Sequence, residues 1–172
     1  MIPAREPSPD ARALAHGIAT EFRRRLLGEQ LPRIRRCVEL LGDADVWRRP
    51  GPTSNSVGNL LLHLAGNTTQ WILATFGDID DERDRPAEFA ADGGANANEL
   101  ADRLASVYQR ACDLVDRVPV NDLLRTRLVQ GRYQESGLSA ILHVLEHCAG
   151  HAGQIYAWTK QATGRDLRFY DL

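Results

Sequence analysis

Residues Leu142–Gln154 read LHVLEHCAGHAGQ and carry His143, His147 and His151, each four positions from the next. On a helix, residues four apart stand almost one above the other, so the three imidazoles form a single stripe. The stripe sits beside an apolar one: Ile141, Leu142, Leu145, Cys148, Ala152, Ile155 and Thr159 recur at spacings of three and four. A helix with an apolar face buries it against partner helices. Of the two remaining histidines, only His63 lies in a strongly apolar helical run, NLLLHLAGN.

The rest of the chain supplies those partners. Ile18, Phe22, Leu26, Leu27, Leu31, Ile34, Val38 and Leu41 predict a first helix over about 17–42, with Pro32 as a kink or a break and Gly42 as a stop. Residues 1–13 are polar and Pro-rich and read as a loosely packed lead-in. Asp43 to Asn55 is a connection whose one large aromatic, Trp47, is expected to plug an end of the bundle. A second helix is predicted over about 56–76. Its apolar face is Val57, Leu60, Leu61, Leu64, Trp71 and Ile72; its polar stripe is Asn59, His63, Asn67 and Gln70. That polar stripe reads as a lined cavity, or, for Asn59 and Gln70, as solvent exposure.

Gly77 to Asn96 reads as a long loop, functional or mobile. A third helix is expected over about 98–118, capped by Asn96 or Asn98 and ended by Pro119. The period then breaks, and Arg125–Tyr133 suggests a hairpin turning at Gln130-Gly131. The last helix should run over about 136–163 and stop at Gly164, followed by a tail whose Phe169, Tyr170 and Leu172 dock on the bundle. The expectation is an all-α chain: one domain over 1–172, a four-helix bundle with a short β-hairpin before the last helix.

His147 and His151 can reach one point, and His63 on a facing helix can supply a third nitrogen. Three neutral imidazoles leave coordination positions open, as in a catalytic site, and suit zinc, nickel, iron or copper. His143 either replaces His151, bonds a ligand from behind, or fills the core; the last two are preferred. Asn67 and Gln154 are candidates for bonding water or substrate, or for ordinary interhelical bonds. His16 reads as a surface residue. The sequence lacks HExxH, a Glu-x-x-His pair, a GxSxG elbow and a Gly-rich phosphate loop, which sets aside zinc proteases, carboxylate-bridged di-iron bundles, serine hydrolases and nucleotide loops.

Cys37, Cys112 and Cys148 are widely spaced and read as small buried hydrophobes. A net charge of −2 gives no electrostatic reason to bind nucleic acid. No apolar run spans a bilayer and MIPAREPSPDAR has no signal-like apolar core, so a cytoplasmic location is expected, with no membrane partner.

The segments NSVGNLLLHLAGNTTQW and HVLEHCAGHAGQI closely resemble the DinB-like (damage-inducible, YfiT-type) superfamily, and the likeness runs through nearly the whole chain. Within that superfamily they look most like a bacterial branch of unknown function. The resemblance implies an up-down-down-up four-helix bundle, often a homodimer, with a divalent metal held by His63, His147 and His151. Zinc or nickel come first, iron next. It further implies a metal-dependent transferase acting with a low-molecular-weight thiol. A non-catalytic metal- or ligand-binding protein, or a hydrolase, are the alternatives. The name describes regulation and implies no DNA binding. Trp158, Phe169 and Tyr170 are plausible interface aromatics, with core packing the competing role.

Overall fold

The computed structural model describes residues 6–77 and 79–170. The first helix begins at Pro9, well before Gly17. Ser8 caps it by accepting from the Ala11 amide, Pro9 opens it and Asp10 lies in its first turn. Residues 9–13 are therefore helical, while the first five residues of the expected lead-in, and Leu172 of the tail, lie outside the described residues. Helix α1 (Pro9–Arg23) passes through a π-helical stretch, Arg24–Gln30, into α2 (Leu31–Asp45). Pro32 does not break the helix. It cannot donate to the preceding turn, and the wider π winding just before it absorbs the mismatch, with the Leu31 amide reaching back to Leu26. Gly42, read as the stop, sits at φ 60°, ψ −172° and separates the helix from a last turn.

The second helix is α3 (Val57–Thr68), a π stretch Thr69–Leu73 and α4 (Ala74–Phe76). Ser56 and Asn59 form a reciprocal capping box at its start. Helix α5 (Arg85–Ala90) is a short helix inside the segment expected to be loop. The third long helix is α6 (Ala97–Val115), capped by Asn96 with Glu99 in return. It ends three residues before Val118, and a short α7 (Val120–Leu124) precedes the hairpin. Strands β1 (Thr126–Val129) and β2 (Tyr133–Ser136) pair antiparallel, with Val129 opposite Tyr133. Helix α8 (Gly137–Thr163) ends at Gly164 in the left-handed region, as expected from the sequence.

Helix α2 packs on α6 and α8, and α3 packs on the same two, so the first and second long helices lie diagonally across the bundle. This is the up-down-down-up four-helix bundle, with the long 77–96 crossover joining the second and third helices. The core is filled by Phe22, Leu26, Ile34, Leu61, Leu104 and Tyr108, among others. Burying each large side chain is worth about 1.5–3 kcal/mol. Trp47 is half-buried at one end and donates to the Ala95 carbonyl at 2.8 Å, tying two connections together.

In α8 the stripe facing the core is Ala140, Ile141, Val144, Cys148, Ala152 and Ile155; Leu142 is 53% exposed. Leu142 lies about 100° round the helix from Ile141, and that turn carries it out of the core. His16 is exposed, as expected. In the tail, Leu167 is buried and Phe169 packs edge-on to Tyr156, whereas Tyr170 stays largely exposed under the Arg33 guanidinium. Among the described residues, no helix is long and apolar enough to cross a membrane.

Candidate metal centre

Helices α3 and α8 pack against each other, and their facing surfaces bring His63 to His147 and His151. The His63 and His147 Nε2 atoms are 3.1 Å apart. One ring nitrogen from each of the three histidines lies within 4.8 Å of the others, a group that could hold a metal ion. Tetrahedral coordination with nitrogen at zinc distances puts ligand nitrogens ~3.3 Å apart, so the cluster needs only a small closure of its widest pair.

The backs of the rings are held differently. His63 Nδ1 is 2.9 Å from Glu88 Oε2 and also 2.9 Å from Arg83 Nη2. Arg83 in turn clasps Glu88, Nε to Oε1 at 2.7 Å and Nη2 to Oε2 at 2.9 Å, and reaches Gln70 Oε1 at 2.9 Å. When Nδ1 carries the proton and donates to Glu88, Nε2 presents its lone pair towards His147. His151 Nδ1 donates to Gln154 Oε1 at 2.8 Å, which leaves its Nε2 available. The His147 Nδ1 is buried without a partner.

Burial disfavours the charged forms of His147 and His151. Burial, then the neighbouring His151 and His63, push His147 down to about 3. Burial also lowers His151, against the bond from Gln154. Burial raises the Glu88 carboxyl, but the bonds from His63 and Arg83 outweigh it and hold it below the usual range.

His143 stands outside this group of three. It stacks on Trp71 with ring centroids 3.6 Å apart, and its Nε2 meets Asn67 Nδ2 at 3.2 Å. Asn67 thus makes an interhelical bond through its nitrogen, while its Oδ1 is buried without a partner. Gln154 holds a histidine rather than standing free. Neither Asn59 nor Gln70 faces solvent alone. Asn59 is fully buried and donates to the Glu88 and Ala91 carbonyls at 2.9 and 2.7 Å; Gln70 bonds Arg83 and Asp81.

Glu88 and Arg83 escaped the sequence reading because they lie in the polar crossover. The available signal was local: Asp84 caps α5 by accepting from the Ala87 amide, with Pro86 in the first turn. That pattern announces a short helix, and Asn59 and Arg49 pin it down by its carbonyls.

Residues 26–155 match the DinB superfamily. Among curated proteins, no sequence matches the chain. Similar solved structures include a DinB-like protein from Bacillus cereus (TM-score 0.63, 13% identity, 82% of this chain and 90% of that one). Another is a DinB-like protein from Bacillus subtilis (TM-score 0.62, 13% identity, 85% and 93%). A third is a conserved protein from Enterococcus faecalis (TM-score 0.66, 16% identity, 89% and 97%). At these identities the likeness is one of fold. With most of its length matched, the chain belongs to the DinB superfamily.

Proposed function

We propose that His63, His147 and His151 hold a divalent metal ion, zinc or nickel before iron, and that the protein is a metal-dependent transferase acting with a low-molecular-weight thiol. The observation that carries the reading is the convergence of one ring nitrogen from each of three imidazoles, two of them with their Nδ1 atoms held by Glu88 and Gln154. Ligand histidines in metal sites commonly donate their second ring N–H to a carboxylate or carbonyl, which fixes the tautomer. The buried, unpaired His147 Nδ1 is a further polar group whose environment favours the neutral ring. A bound metal would lower the pKa of a coordinated thiol or water and so supply a nucleophile near neutral pH.

The chain's own residues then orient and enclose. Glu88 holds the His63 proton, Arg83 keeps Glu88 ionised, and Trp71 with His143 forms an aromatic wall. Hydrolysis suits the site less well, because Glu88, the carboxylate in contact with the triad, is committed to Arg83 and His63 and is a weak base. A homodimer accompanies this reading, from the sequence resemblance, in a cytoplasmic setting inferred from the lack of an apolar spanning run; sedimentation giving a monomer at micromolar concentration would remove the dimer.

The test is elemental analysis of protein purified without a histidine tag, followed by turnover assays with bacterial low-molecular-weight thiols and an electrophile. About one metal per chain, lost in His63→Ala, supports the site. Metal without thiol-dependent turnover replaces the transferase with a ligand-binding protein, and no metal removes both.

A further inference from the structure

Next to the histidines lies a cavity of about 560 Å³, within the size range of small-molecule sites. His63 and His147 line one part of it and Trp71 and Tyr133 another, and Arg85 and Arg132 contribute their side chains. The two arginines come from different elements: Arg85 opens α5 in the crossover, and Arg132 belongs to the hairpin loop.

Their charges are not spent. Among the described residues, neither Arg85 nor Arg132 makes an ion pair, in contrast to Arg83, which is committed to Glu88. Each guanidinium instead lies over an aromatic ring, Arg85 over Phe89 at 5.0 Å and Arg132 over Tyr133 at 5.1 Å. Stacking of this kind orients a guanidinium while leaving its N–H fork available to an anion. The hairpin that carries Arg132 turns through Gln130 at φ 56°, a left-handed conformation that a glutamine adopts at a cost. Such backbone strain is concentrated at ligand-facing loops. Gln130 lines the same cavity.

The cavity wall also holds enclosed polar atoms. The Asn67 Oδ1 and the Trp71 Nε1 are buried without hydrogen-bond partners, and both residues line it. Asn67 is 4% exposed and Trp71 5%, so solvent does little for either.

We infer that this cavity binds a small carboxylate whose anionic end is received by Arg85 and Arg132, with its other end directed to His63 and His147. The inference rests on the proposed function in one respect: that the end at the histidines is the thiol. A monoanionic carboxylate suits the site better than a phosphate dianion, because Glu135 adds a carboxylate of its own to the lining. The Trp71 and Tyr133 rings, stacked with centroids 6.4 Å apart, give an apolar wall for the carbon skeleton between the two ends. The class of ligand is therefore a mercapto-carboxylic acid.

The experiment is calorimetric titration of both metal-loaded and metal-free protein with 3-mercaptopropionate, 2-mercaptoethanol and methyl phosphate. The expected result is that the carboxylate binds about tenfold more tightly than the neutral thiol in both forms. An Arg85→Gln/Arg132→Gln variant, altered at two exposed residues, should lose that advantage while keeping its metal content. Equal binding of carboxylate and alcohol, an advantage that survives in the double variant, or tighter binding of methyl phosphate overturns the inference. Metal loading with no carboxylate preference sinks the inference and leaves the metal centre standing. A carboxylate preference in a protein that never takes up metal keeps the anion site and sinks the metal centre.

Discussion

Glu88 lies 2.9 Å from the Nδ1 of His63, although 25 residues and a change of element separate them. Glu88 is on the short helix of the crossover, His63 in the middle of the second long helix, and both side chains are almost fully enclosed. With Nδ1 protonated, the contact holds His63 in the tautomer whose Nε2 is free to bind. Removing it should therefore act on the proposed metal centre. Substituting a carboxylate behind a ligand histidine commonly costs 10–100-fold in metal affinity. Glu88→Gln should do so, measured by competition with a chelator. The same change strands Arg83, whose side chain is 5% exposed, and an unpaired buried charge is strongly destabilising. The double variant Arg83→Met/Glu88→Gln separates the two effects. It should recover most of the thermal stability lost in Glu88→Gln and none of the metal affinity. Full metal affinity in the double variant would show that Glu88 has no hold on the site.

Gly66 makes the Arg83–Glu88 clasp possible. A Cβ there would overlap Glu88 Oε1 and crowd the Arg83 Nε, so only glycine lets the pair lie against α3. By helix propensity alone, alanine for glycine in a helix interior should stabilise by about 1 kcal/mol. The close approach reverses that sign. Gly66→Ala should melt no higher than the parent protein and bind metal more weakly, because Glu88 is pushed off His63. A rise in melting temperature with unchanged metal affinity would show that the clasp yields at no cost.

The three histidines were legible because each sits in a helix whose apolar period is strong, and periodicity converts spacing into direction. His63 needed no contact information beyond the expectation that two long helices face each other. The start of the first helix was equally legible but passed over: Ser8, Pro9 and Asp10 are a cap, an opening proline and a first-turn acid, and together they outweigh the polar composition. Leu142 shows the limit of stripe counting, since Ile141 and Leu142 are both apolar and only packing decides which of two adjacent directions is the core. The π stretches at Arg24–Gln30 and Thr69–Leu73 have no spacing signature of their own. Arg83 precedes α5 and Glu88 lies on it, a helix too short to show an apolar period, so their meeting with His63 is a tertiary fact.

Asn59 is the pin for that tertiary contact. Its side chain accepts from the Ser56 amide and hydroxyl, and it donates to the carbonyls of Glu88 and Ala91. Asn59→Ala removes the return arm of the capping box and leaves two part-buried carbonyls without this donor, of which Ala91 keeps Arg49 at 3.5 Å. Buried groups left unpaired cost roughly 1–3 kcal/mol each, so a loss of about 3 kcal/mol in unfolding free energy is expected from denaturant titration. Hydrogen exchange should rise first over residues 84–91, ahead of global opening. Uniform exchange across the bundle would mean that Asn59 stabilises the helix start only.

The cysteines make a prediction independent of metal. Burial pushes Cys37 up to about 11, Cys112 to about 12 and Cys148 to about 11, the last against a Tyr108 hydroxyl that donates to its sulfur at 2.9 Å. The thiolate is the reactive form, so all three should resist alkylation in the native protein at pH 7–8 and react on unfolding. The sign of the pH effect on stability follows from the same shifts. An unfolded thiol ionises at about 8.5, so above that pH the unfolded chain gives up protons that the folded chain retains. Stability is intact below that value and falls as pH rises through it towards about 11. Denaturant midpoints at pH 7.5 and pH 10 should show this decline, and replacing the thiols by alanine or serine should flatten it whatever else those changes do to packing. Rapid labelling of native protein at neutral pH, with no pH-dependent decline, would mean that the three thiols are not held in the core.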